Sequence, residues 1–294
     1  MKNVSLTKLL SIVCFLFVSV AEGQTETSSG EFVFSVSKTQ KVYFSPGNLQ
    51  WTAKGSHMTA DGNIIAGTWR FAPRQWDTVG INNGNVNANY TGWIDLFGWG
   101  TSGYKQKYPY MTSLSSADYG DNETNIAATC YDWGVYNAIV NPRTQTTDAP
   151  GTWRTLTKEE WIYLLETRDT PSGVRFAKST VNGVPGLLIV PDNWNTSAFL
   201  LFNTNIYTAV YASNIITSDE WMKLDSAGCV FLPAAGERNG TSVNSVGNRG
   251  SYWSASCYSC LYSHLLFFNL SYLGTSNFCA RFSCNAVRLV KDTQ

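Results

Sequence analysis

Four of the seven cysteines stand close together near the end of the chain, as Cys257-x2-Cys260 and Cys279-x4-Cys284. Thiols at such spacings can hold a metal ion or close a disulfide. A structural zinc site usually repeats a two-residue gap, which the second pair lacks, and no basic or glycine-knuckle pattern flanks either pair. A disulfide among the four stays open, because connectivity is not readable from spacing. Cys130 and Cys229 read as core residues or as one further pair. The two histidines, His57 and His264, have no Ser or Cys context resembling a nucleophile elbow. No two carboxylates stand in a recognisable acid–base arrangement.

The same stretch has a second peculiarity. Ser254–Val287 contains four Phe, three Tyr and five Leu, but no Lys, Glu, Gln, Met, Trp, Asp or Pro, and Arg281 is its one long charged side chain. Randomising the first two letters of an AAC or AAT codon reaches Cys, Tyr, Phe, Leu, His, Ser and Asn but never Lys, Glu, Gln, Met or Trp. The window therefore has the composition expected of a diversified binding surface as well as that of a thiol site.

The elements that must position these residues are short strands. Lys2 and Lys8, the apolar run Leu9–Val20 and the small residues around Ala21-Glu22-Gly23 make residues 1–23 a secretory signal cleaved before Gln24. That run is shorter than the roughly 20 residues of a membrane span. Cys14 lies mid-run without the small residues that lipidation requires. The mature chain is expected to be exported, extracellular or at the cell surface, with no integral membrane segment after cleavage. Charge is balanced at 21 against 21, which excludes an electrostatic footprint for nucleic acid. Eleven Trp, 15 Tyr, 15 Phe and 24 Gly point away from a helical bundle.

After a polar linker, residues 24–30, the alternation in Phe32–Trp51 predicts two strands joined at Lys38-Thr39-Gln40. Residues 69–153 show no helical period, and Trp76, Trp93, Trp99 and Trp133 read as core anchors of long loops. One helix is clear: Thr157 and Glu160 form a capping box, followed by the apolar face Trp161, Leu164 and Leu165. Ser218–Asp225 suggests a second, shorter helix. VNGVPGLLIV reads as a hairpin, VFLP as a buried strand, and GSYWSAS, HLLFFNL and NAVRLV as closing strands. The fold class is α+β, with many short antiparallel strands, one or two helices and long Trp-pinned loops.

WRTLTKEEWIYLL, VFLPAAGERNG, GSYWSAS and AVRLV occur in an order that resembles the C-type-lectin-like fold. KVYFSPGNLQW, WRFAPRQWDTVG and GWIDLFGWGTSGY look like its bacterial branch, the variable target proteins of diversity-generating retroelements. The resemblance spans residues 31–290 and implies a non-enzymatic ligand-binding protein. Its face, within 251–290, would be diversified by template-directed, adenine-specific mutagenesis. The implied partner is a protein or other macromolecule at the cell or phage exterior, with no metal and no cofactor.

On that resemblance the face comprises Cys257, Tyr258, Ser259, Cys260, Leu261 and Tyr262 from a loop and Leu265 and Phe267 from a strand. Tyr272, Phe278, Phe282, Ser283 and Asn285 come from the last loop and strand. Alternation puts Leu266 and Phe268 on the opposite, scaffold side. The alternative is that Leu265 and Phe267 pack against another layer. Two further function readings remain. Cys279-x4-Cys284 resembles the copper-binding pair of formylglycine-generating oxidases, although the arginine- and asparagine-rich run that follows it there is missing. A structural surface or fimbrial-type component is the other. The motifs with which calcium-dependent lectins hold sugars are absent, and Asp192-Asn193-Trp194-Asn195 reads as a turn.

Overall fold

A computed structural model describes residues 32–121, 124–197 and 199–294. The signal peptide and linker expected at residues 1–23 and 24–30 lie outside the described residues. In chain order the first strands are β1 (Phe34–Ser35), β2 (Lys41–Phe44), β3 (Leu49–Met58), β4 (Ile64–Phe71), β5 (Ile139–Asn141) and β6 (Thr146–Asp148). They continue with β7 (Arg154–Thr155), β8 (Phe176–Val181), β9 (Val184–Ile189), β10 (Ile215–Ile216), β11 (Val230–Pro233) and β12 (Glu237–Asn239). The last are β13 (Ser242–Asn244), β14 (Gly250–Cys257), β15 (Tyr262–Phe268), β16 (Leu273–Ala280) and β17 (Leu289–Asp292). The α-helical segments are α1 (Trp133–Tyr136), α2 (Lys158–Ile162) and α3 (Ser218–Ser226). This is an α+β architecture of short, mostly antiparallel strands.

Local chemistry sets several of these boundaries. Thr157 Oγ1 accepts from Glu160 N while Glu160 Oε2 accepts from Thr157 N, so the expected capping box starts α2. Thr217 and Glu220 do the same for α3. Asn182 and Gly183, both at positive φ (48° and 80°), make the tight turn between β8 and β9. The first hairpin is shorter than expected, with Phe34 and Ser35 opposite Val42 and Lys41.

Five sheets divide the described residues, and the first joins their two ends in the order β1-β2-β17-β7. Another runs β10-β8-β9-β11, a third β3-β4-β5-β6, and β12-β13 is a hairpin. The sheet that carries the cysteine-rich window is the meander β14-β15-β16. It lies between two cores. Tyr252, Leu266, Phe268 and Leu273 enter one, with Trp161, Leu164 and Leu165 of the α2 region. Trp253, Ala255 and Leu265 enter the other, with Trp69, Phe97, Trp99 and Trp133.

Of the four loop tryptophans expected as core anchors, Trp99 and Trp133 are in a core. Trp99 and Trp133 are fully buried, whereas Trp76 and Trp93 are half-buried. Trp76 packs edge-on against Trp221, and the Arg70 guanidinium covers Trp93 at 3.6 Å. Two buried carboxylates tie the same loops down. Asp95 accepts from Asn83 Nδ2 and Val79 N, and Asp132 accepts from Gly134 N, Thr155 N and Thr155 Oγ1.

Burial pushes both carboxyls up to about 6, with the hydrogen bonds pulling the other way. A folded value above the unfolded one of about 3.9 means the native state binds the proton more tightly. Each group therefore adds stability as pH falls through 6, about 1 kcal/mol between pH 7 and pH 5. Carboxyl carbon NMR should show Asp95 and Asp132 titrating near pH 6. Midpoints at or below the ordinary aspartate value would refute it.

Candidate ligand-binding face

The loop between β14 and β15 is closed by its own backbone. Tyr258 N and Ser259 N donate to Tyr262 O, and Tyr262 N donates back to Ser259 O. This turn projects Tyr258, Leu261 and Tyr262 outward, and β16 brings Phe278 beside them through its pairing opposite His264. Tyr258 and Phe278 lie flat on each other, with centroids 4.3 Å apart and planes 3° apart. Tyr262 meets Phe278 edge-on at 5.7 Å, and His264 meets Tyr258 at 5.2 Å. Tyr258 and Phe278 are each 52% exposed, Leu261 47% and Tyr262 38%. Rings stacked in this way yet open to water form a preformed apolar surface.

The remaining expected residues divide. Cys260 is exposed beside the cluster, while Cys257, Ser259 and Phe282 are half-buried. Tyr272 is exposed at the opposite end of the β15–β16 hairpin, against half-buried Phe267, which Arg249 covers at 4.9 Å. Leu265, Ser283 and Asn285 are buried, so three of the residues expected on the face lie beneath it. Leu265 pairs with Trp253 and points into the second core, because the Phe97–Trp99 loop covers that side of the sheet. Asn285 bridges Phe97 in that loop, and its Nδ2 donates to Ser283 O. The stretch expected as the strand NAVRLV begins its ladder only at Leu289. Sequence reasoning missed exposed Leu270, whose turn-forming neighbours Asn269 and Ser271 were the available signal.

Arg281, the exception in the window's composition, is 1% exposed. Its Nη2 donates to Ser259 O at 2.8 Å and to Cys257 Sγ at 3.0 Å, and its guanidinium lies 4.6 Å from the Trp99 ring. It therefore braces the turn from below.

All six described cysteines are free, and no group of three His, Cys, Asp or Glu among the described residues could hold a metal ion. Cys279 lies half-buried on β16 opposite Ser263, whereas Cys284 is fully buried in the first core. Burial pushes the Cys284 thiol up. His264 Nδ1 faces Ser276 O at 3.3 Å, and burial lowers its pKa from the ordinary histidine value. Asp192 is committed to the scaffold, accepting from Ser35 N and Arg168 Nη1. No known protein family, curated protein or solved structure matches the chain.

Proposed function

We propose that this chain is an exported, non-enzymatic binding protein of lectin-like fold whose C-terminal face is diversified to meet a macromolecular ligand. The observation that carries the reading is the exposed cluster of Tyr258, Tyr262, Phe278 and Leu261. It stands in a window from which Lys, Glu, Gln, Met and Trp are absent. Tyr and Phe offer large contact area at low conformational cost, and a few such anchors dominate a protein interface. The face meets its partner through these rings, while the two cores behind the meander keep the backbone fixed as side chains change. The lectin-like part of the reading is supported by the order of the sequence motifs.

Sequencing the coding region from many cells tests it. Substitutions should concentrate at codons of exposed positions such as Tyr258, Leu261, Tyr262 and Phe278, with Trp253, Leu266 and Phe268 constant. The changes should fall where a nearby near-copy of the region has adenine. Changes spread evenly along the gene, or at bases of every kind, would overturn the proposal.

A further inference from the structure

The β14-β15-β16 meander has two outer edges, and they are treated differently. Along β14 the outward backbone groups are taken up by other segments. Trp253 N donates to Ala286 O, Ala255 N to Leu156 O and Cys257 N to Asn125 Oδ1. Along β16, among the described residues, no further strand or bridge follows. Natural sheets blunt such an edge with charged side chains or proline. The sequence of β16, LGTSNFCA, has neither, and its Ser276 and Phe278 are exposed.

Neighbouring hydrogen bonds fix which way the backbone of β16 points. In an antiparallel ladder the N–H and C=O of one residue face the same side, and successive residues alternate. Tyr262 turns both groups away from β16, bonding Ser259 and Tyr258. His264 O faces β14 as well, where it accepts from Ser254 Oγ. Their partners in the next ladder, Ala280 and Phe278, therefore turn outward, while Arg281 N points inward to Leu261 O. Ala280 O accepts from Ser283 N, and Ser276 O faces His264 Nδ1. Phe278 N, Phe278 O and Ala280 N remain, with no partner among the described residues.

These groups stand as an extended peptide needs them: a donor and an acceptor together, and a second donor two residues, about 6.8 Å, along. A strand laid beside β16 exchanges both bonds of Phe278 with one of its own residues. Its alternate side chains then fall beside the Tyr258, Tyr262 and Phe278 rings. Backbone groups keep their places when side chains are exchanged, so this anchor survives substitution of the rings around it. Building on the reading of this face as a ligand surface, we propose that its ligand is a polypeptide. The partner adds an extended strand to the free edge of β16 at 276–280.

A decapeptide selected from a displayed random library against the full chain is the probe. In the free protein the Phe278 and Ala280 amides should exchange fast, and in the complex at least about tenfold slower. Methylating the peptide's backbone nitrogens should weaken binding about five- to tenfold at alternate positions and leave the positions between them unaffected. Ala280→Pro removes an outward donor while keeping the β15 ladder and every ring, and should weaken binding about tenfold or more. The methylated peptides leave the protein untouched, so the test holds even if that variant folds poorly. Failure to select any peptide, unprotected Phe278 and Ala280 amides in the complex, or methylation tolerated throughout would each overturn strand addition. Binding that depends on the Tyr258 and Phe278 side chains alone would also overturn it, yet leave the ligand face standing. Dimerisation through this edge in sedimentation would assign it to a second copy and overturn it too.

Discussion

Replacing Trp253 by alanine is expected to cost about 3–5 kcal/mol, a large share of a domain's total stability. The indole is fully buried in the core behind the meander, and its N–H donates to Phe97 O at 2.7 Å. One strand residue on, Ser254 O accepts from the Trp99 indole at 2.9 Å. The two tryptophans thus clamp the Phe97–Trp99 loop to β14 from both sides. Alanine at 253 would open a cavity and remove one of the two donors to Phe97 O, which keeps Asn285 N, so the cavity carries most of the cost.

The double change Tyr258→Ser with Phe278→Ser should cost only about 1 kcal/mol, the worth of one aromatic stack, because both rings are half in water already. Urea unfolding at matched slope measures the contrast. Equal losses for the two variants would mean that the exposed rings are part of the scaffold, and the division between face and support would fall.

How much of this division could be read beforehand depended on whether its cause was local. The α2 capping box needs only Thr157 and Glu160, three residues apart, and was legible. The Thr217–Glu220 box has the same signature and marks the start of α3. By contrast β16, LGTSNFCA, carries Gly, Ser and Asn where strands favour branched and aromatic residues. It is a strand because β15 pairs with it, through a register shift between Leu265 and Phe267. β3 was hidden similarly by Gly55, at φ 76° within the register shift between Thr52 and Ser56.

Alternation correctly put Leu265 and Leu266 on opposite sides of β15, but alternation cannot say which side is covered. That depends on Phe97 and Trp99, far away in the chain, and only the tertiary fold supplies them. The same limit applied to Arg281, whose type stood out in the window while its role lay in contacts with Trp99 and Tyr119.

Arg281→Met is expected to cost about 3 kcal/mol and to loosen the turn that carries the aromatic cluster. Replacing a buried ion can be neutral when its partners are replaced too. Here they would remain: Ser259 O at 2.8 Å, Tyr119 O at 3.5 Å and Cys257 Sγ at 3.0 Å. The backbone of residue 281 would still accept Trp99 N and donate to Leu261 O, so the strand end stays in place while the turn above loses its brace. Arg281→Lys should fare little better, since a single ammonium cannot reproduce the planar fork or its stack on Trp99.

The discriminating readout is amide exchange. Tyr262 N, which donates to Ser259 O, and the neighbouring Tyr258 and Ser259 amides should exchange at least about tenfold faster in both variants, while amides of β8 and β9 keep their protection. If protection fell evenly across the protein, Arg281 would be a general stabiliser of the fold. If the turn exchanged as slowly as before, the cluster would need no brace from below, and its preorganisation would have to come from the Tyr258–Phe278 stack alone.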